Sequence, residues 1–172
     1  MKILKASTIV LLLIIGQITF AQDKSYKETV IENPTADDDL KVVAAYLDAL
    51  MDNKMDKAAS FLADTYIGGG PGYEETETKA ESIESWKEAH KVRTNQKNDY
   101  VRNTVRVIDG DLKGDWVSIW GTYTFTQNSI TVNMPYQYSA MIDNGKIVKS
   151  MIYYDKMAIN TAMGYELTAK KQ

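Results

Sequence analysis

The chain reads as an α+β domain in which a curved antiparallel sheet carries about three helices on its concave face. Three features predict it. Helical periodicity governs the first half of the chain. From Tyr100 onward the period changes to two, the period of a half-buried strand. Runs of helices followed by runs of hairpin-linked strands belong to the α+β class, with one sheet face covered by the helices.

The N-terminal stretch stands apart from that domain. Lys2 and Lys5 precede a short apolar core at 9–15, and Thr19-Phe20-Ala21 places small residues at the two positions a signal peptidase reads. Residues 1–21 are therefore expected to be a secretory signal peptide, too short to span a membrane. Residues 22–34, "QDKSYKETVIENP", follow neither period and are expected to form a flexible leader. The domain is expected over 35–167, with 168–172 as a tail. Cleavage would leave a protein outside the cytoplasm, periplasmic or secreted, with no membrane anchor.

Thr35 opens the first helix, and aspartates 37–39 complement the helix dipole. Leu40, Val43, Ala44, Leu47, Leu50 and Met51 line one face. A shorter helix follows over 55–63, with Met55, Ala59 and Leu62 inward. Tyr66-Ile67 suggests a short strand. Gly68-Gly69-Gly70-Pro71-Gly72 then suggests a mobile surface loop or pocket lid. It lacks the Lys-Ser or Lys-Thr of a phosphate loop, and Glu74, Glu75 and Glu77 would repel an anion. A third helix is expected over 79–91, with Ile83, Trp86 and His90 on one face.

Four strands follow, over 100–108, 116–126, 130–142 and 147–154. Asp143-Asn144-Gly145 supplies hairpin chemistry between the last two. Pro135 cannot donate to a ladder, so a bulge or an edge is expected there. Residues 156–163 suggest a short closing helix ended by Gly164.

Composition removes several functions. Net charge is −3, with 20 basic and 23 acidic residues, which disfavours nucleic acid as a partner. One histidine and no cysteine leave no transition-metal site, and neither a metal nor another cofactor is expected. No Gly-x-Ser-x-Gly nucleophile elbow occurs.

The helix pair "VVAAYLDALMDNKMDKAASFLADTYI", the third helix "ESWKEAH" and the ending "DNGKIVKSMIYYD" together resemble the nuclear-transport-factor-2-like superfamily, in particular its SnoaL-like branch. The resemblance spans about residues 37–164 and is most specific in the final hairpin. It implies a cone enclosing a pocket, a fold that serves polyketide cyclases, ketosteroid isomerases, limonene-type epoxide hydrolases and non-catalytic binding or dimerisation modules. Fold alone does not choose among them. The epoxide-hydrolase type needs an Arg-x-Asp pair on a strand, and the central passage here is Ile119-Trp120-Gly121-Thr122-Tyr123.

Two residues are candidates for acid–base chemistry. Asp155 follows Tyr153-Tyr154, where the resemblance implies a carboxylate at the cone mouth. The same aspartate directly precedes the closing helix, where an N-cap is favoured and contributes about 0.5–2 kcal/mol. His90, one helical turn after Trp86, has the side chain best suited to titrate near neutrality. A helix-end histidine facing solvent is the competing reading, which Lys87, Lys91 and Arg93 favour. The chain has eleven tyrosines and three tryptophans against three phenylalanines, and such residues suit pocket walls and dimer interfaces alike. Trp86, Trp120, Tyr138 and Tyr153 are the expected pocket residues. The function these features favour is binding of a small, mainly apolar or aromatic molecule by a homodimer. The alternative is a cyclase or isomerase using Asp155 and His90 on an enolisable carbonyl compound.

Overall fold

The computed structural model describes residues 25–166 and residue 168; the expected signal peptide and residues 169–172 of the expected tail lie outside them. The elements are α1 (Tyr26–Thr29), β1 (Val30–Ile31), α2 (Ala36–Met51), α3 (Met55–Phe61), β2 (Leu62–Gly69), β3 (Thr76–Thr78), α4 (Lys79–Val92), β4 (Thr94–Val107), β5 (Gly114–Gln127), β6 (Ile130–Asp143), β7 (Lys146–Tyr154) and α5 (Lys156–Ala162). The class is α+β. Among the described residues no helix is long and apolar enough to cross a membrane.

The strands form one sheet in the order β1-β4-β5-β6-β7-β2-β3. The expected four-strand meander is its centre. Three further strands extend it, and β2 runs parallel to β7 rather than antiparallel. Part of the expected leader is built into the sheet: Val30 and Ile31 pair with Val107 and Arg106. Asn33, nearly inaccessible, anchors that segment. Its amide nitrogen donates to Asp39 Oδ2 at 2.8 Å and to Thr104 Oγ1 at 2.8 Å. The hydroxyl of Thr35, the residue preceding α2, lies 2.9 Å from Asn33 Oδ1 and 2.8 Å from Asp39 Oδ2. Each buried polar group in this cluster has a partner, as burial requires.

The core lies between the helices and one face of the sheet. Val43, Tyr46, Leu47 and Leu50 of α2 meet Val117, Ile119, Tyr123 and Phe125 of β5 and Tyr136, Tyr138, Ala140 and Ile142 of β6. Burying each aliphatic side chain contributes roughly 1.5–3 kcal/mol. The β5·β6 ladder runs in unbroken register through Thr122↔Pro135. Pro135 sits one residue past the last β6·β7 pair, Tyr136↔Tyr154, where β6 is a local edge. The bulge lies on β7 instead. Ile142 pairs with Ile147 and Met141 with Lys149, so Val148 is the extra residue. The inward phase of β7 changes there, from Ile147 to Ser150, Ile152 and Tyr154.

Candidate functional site

The helices and sheet enclose an inner chamber of about 110 Å³ and, beside it, an outer chamber of about 360 Å³. The two share Trp86 of α4, Tyr123 of β5, Met134 of β6 and Ile152 of β7 as walls. These positions follow from periodicity: 123, 134 and 152 are inward on their strands, and Trp86 is one turn after buried Ile83.

The inner chamber has an apolar side made by Leu47, Leu50, Met51 and the shared walls. Its polar side gathers Tyr46, Tyr66, Tyr138, Ser82, Ser150 and Glu77. Tyr66 and Ser150 exchange a hydrogen bond of 2.7 Å between hydroxyls. The Tyr138 hydroxyl is fully buried beside the Ser150 hydroxyl and makes no hydrogen bond of ordinary length. Burial pushes the phenols of Tyr46, Tyr66 and Tyr138 above their ordinary range, and that of Tyr136, which donates to Asn98 Oδ1 at 2.8 Å, up to about 12. All four are neutral donors near neutrality. The Glu77 carboxyl is also raised, first by burial, against the opposing pull of the Ser82 hydroxyl.

Glu77 sits at the middle of β3, opposite Gly68 of β2. A Cβ on Gly68 would fall 2.6 Å from the Tyr66 hydroxyl and 2.9 Å from Glu77 Cγ, so glycine permits this approach. The glycine run is thus divided: Gly68 and Gly69 belong to β2, and Gly70 and Gly72 form the turn into β3. Glu75 closes that turn. Its carboxylate accepts from the Gly72 amide at 3.0 Å and from Lys156 Nζ at 2.8 and 3.0 Å, tying the turn to α5.

The six residues expected at the site separate into two groups. Trp86 and Tyr138 line the inner chamber. His90, Asp155, Trp120 and Tyr153 do not line either chamber. His90 lies behind Trp86, ring centres 6.3 Å apart, with Nε2 2.7 Å from the Leu50 carbonyl and Nδ1 2.7 Å from Gln96 Nε2. Both ring nitrogens are engaged in joining α4 to α2 and β4. Asp155 is exposed and caps α5, its Oδ1 accepting from the Ala158 amide at 2.8 Å. Trp120 and Tyr153 point outward and stand in one row across the sheet, Val101↔Trp120↔Gln137↔Tyr153. Tyr153 is displaced by the Val148 bulge: in an unbroken alternation it would share the face of buried Ile147. For Trp120 the cause is composition, because both faces of β5 carry large apolar residues and no local feature marks the inner one.

Glu77, Tyr46, Tyr66 and Tyr123 were not anticipated. Tyr46 was legible, since it falls between Val43 and Leu50 on the apolar side of α2. Glu77 was hidden by its acidic neighbours, although its alternation with Thr76 and Thr78 is that of a short strand.

Protein-family models give no match to the chain. A search of curated proteins gives none either. Solved structures do match. A ketosteroid-isomerase-like-fold protein from Catenulispora acidiphila, solved in complex with trimethylamine, is 14% identical with a TM-score of 0.59, covering 75% of this chain and 98% of its own. A candidate SnoaL-like polyketide cyclase from Shewanella putrefaciens is 16% identical with a TM-score of 0.59, covering 78% and 100%. An epoxide hydrolase of the limonene type from M. tuberculosis is 16% identical with a TM-score of 0.57, covering 76% and 88%. The chain thus has the fold of the nuclear-transport-factor-2-like proteins, shared with their SnoaL-like cyclase branch.

Proposed function

We propose that this protein binds one small, mainly apolar or aromatic molecule in the two-chambered cavity. The observation that carries the reading is a two-chambered cavity with an apolar side and, on its polar side, the Tyr138 hydroxyl, buried without a hydrogen bond of ordinary length. A buried donor left unpaired costs about 1–3 kcal/mol, and a ligand acceptor would recover it. Size restricts the ligand. A void of about 150 Å³ takes benzene, so the inner chamber, at about 110 Å³, holds at most one ring or a short branched chain. The outer chamber has room for the remainder. Native mass spectrometry of gently purified protein tests this: a co-purified molecule released on denaturation is expected. A bare mass, together with no uptake of small aromatic compounds, overturns it.

A second reading, acid–base catalysis on an enolisable carbonyl compound, gains support from one observation. Glu77 is a carboxyl with a raised proton affinity, on the same polar side as three neutral phenols. That combination suits proton transfer at one carbon with hydrogen bonds to a developing enolate oxygen. In this reading Glu77 takes the role expected of Asp155 and His90. Glu77→Gln should then abolish turnover of any substrate found while binding persists.

Export through the signal peptide and pairing of two copies are part of the same proposal. The outward row of Val101, Trp120 and Tyr153 supports pairing, since each is at least 45% exposed. Sedimentation of wild type against Trp120→Glu would test it, with the variant expected as the lighter species.

A further inference from the structure

The outer chamber has walls of a different charge from those of the inner one. Its lining includes two cations, Arg93 and Lys156, and no carboxylate. The inner chamber has one carboxyl, Glu77, and no cation. Arg93 follows the last turn of α4. Its guanidinium carbon stands 4.2 Å from the Phe125 ring centre and 5.8 Å from that of Tyr123. Stacking of this kind orients the planar group and leaves in-plane N–H donors available. Nε uses one of them on Gln127 Oε1, at 3.4 Å, and the Tyr123 hydroxyl is close enough to engage another. Among the described residues no carboxylate lies within ion-pair distance of Arg93. Lys156 stands across the chamber, held by Glu75. Burial holds the Tyr154 phenol above its ordinary range, and its hydroxyl feels the cations Lys156 and Arg93 as well as the carboxylates Glu75 and Glu77. Glu75 pairs with Lys156 and so offsets that cation, and Asp155 is engaged at the α5 cap, which leaves Arg93 as the cation of the chamber without a carboxylate partner among the described residues.

We propose that the outer chamber recognises a carboxylate, with Arg93 as its principal contact and Lys156 and Tyr154 beside it. The ligand is then a small organic acid whose apolar body passes Trp86 and Tyr123 into the inner chamber. This rests on the ligand-binding reading above and names the class of ligand. Orientation follows from charge. The acid group stays in the half-open outer chamber, where a planar guanidinium suits a carboxylate geometrically. The apolar end reaches the rings, and an acceptor atom at its tip would meet the Tyr138 hydroxyl.

Two probes of equal shape test it, 3-phenylpropanoate and 3-phenylpropanamide, titrated calorimetrically into the purified protein at low ionic strength. The acid is expected to bind about tenfold tighter than the amide, as a charge-assisted hydrogen bond allows. Added salt should narrow that gap. In Arg93→Gln the acid-to-amide preference should fall to near parity. If that variant fails to fold, the acid-to-amide ratio and its salt dependence in the wild type still decide. An arginine kept only to stack on Phe125 and face the end of α4 predicts equal binding of the two probes. Equal binding overturns the carboxylate site and leaves the cavity reading standing. No saturable binding of either probe overturns both.

Discussion

His90 Nε2 lies 2.7 Å from the carbonyl oxygen of Leu50, and that contact ends a directed chain of hydrogen bonds from the cavity wall. The Tyr123 hydroxyl donates to Gln96 Oε1. The Gln96 amide nitrogen can only donate, so His90 Nδ1 accepts at 2.7 Å and Nε2 carries the proton to Leu50. The chain joins β5, β4, α4 and the last turn of α2. His90→Ala should therefore lower stability by about 1–3 kcal/mol, through two contacts left unmade in a partly buried site. Urea denaturation measures it. A change below a few tenths would mean the chain carries no load.

Glu77→Gln should stabilise the unliganded protein near neutral pH. The sign follows from proton counts. Burial raises the folded carboxyl above 4.5, so between 4.5 and the folded value the native state holds more protons than the unfolded chain. Stability therefore falls as pH rises through that window, and the deficit persists above it. The glutamine variant has no carboxyl to titrate. Melting temperatures of both proteins from pH 4 to 8 should diverge upward in pH, with the variant the more stable. Parallel curves would show that Glu77 is solvated in the folded state.

Gly121→Ala should destabilise by about 1–3 kcal/mol, the cost of overpacking. A Cβ there would fall 2.8 Å from the Asp99 carbonyl oxygen, 2.8 Å from Tyr100 Cβ and 2.8 Å from Tyr136 Cε1. One of these neighbours is backbone in a paired strand and cannot yield. The substitution should also push the Tyr136 ring, a wall of the inner chamber, off its contact with Asn98. A thermal melt gives the first effect and loss of probe binding the second.

Period and turn chemistry located α2, α4, β5, β6 and β7 within a few residues, because each carries many copies of its own repeat, whereas β4 begins six residues before the expected Tyr100, at Thr94. The capping role of Asp155 was legible for the same reason, as a local signal. What escaped depends on contacts distant in sequence. Val30 and Ile31 become a strand only because β4 offers an edge, and β2 lengthens only beside β7. The Val148 bulge is set by a partner strand, and it alone decides that Ser150 and Tyr154 face inward while Tyr153 faces out. Glu77 is a pocket group because Gly68 lies opposite it, a relation between two strands that no single stretch displays.

Lys156→Ala should loosen α5 while leaving the core intact. The pair with Glu75 is about half exposed on both sides, so its worth is about 0–1 kcal/mol. Yet α5 has no fully buried residue and depends on such contacts. Its amides should exchange several-fold faster in the variant, with α2 and α4 unchanged. The bond to Lys156 holds the Glu75 carboxyl below 4.5, so its contribution is present above that pH and lost as pH falls through the folded value. Acidification below 4.5 should thus reproduce the variant's exchange pattern in the wild type. Unchanged α5 protection in the variant would show that Ile159 and the Asp155 cap suffice.

Tyr138→Phe separates a structural from a binding role for the unpartnered hydroxyl. Removing a buried group that has no partner relieves its desolvation cost, so the unliganded variant should gain about 1 kcal/mol. The ring stays and still fills its place between β6 and the helices, so no void forms. If the hydroxyl serves a ligand acceptor, the same change should weaken binding of a probe with an acceptor at its inner end by about tenfold. Binding of a probe without one should be unchanged. Denaturation and titration of one variant therefore give effects of opposite sign. A loss of stability would instead mean that the hydroxyl is already satisfied inside the folded chain, and the cavity would then offer its ligand shape alone.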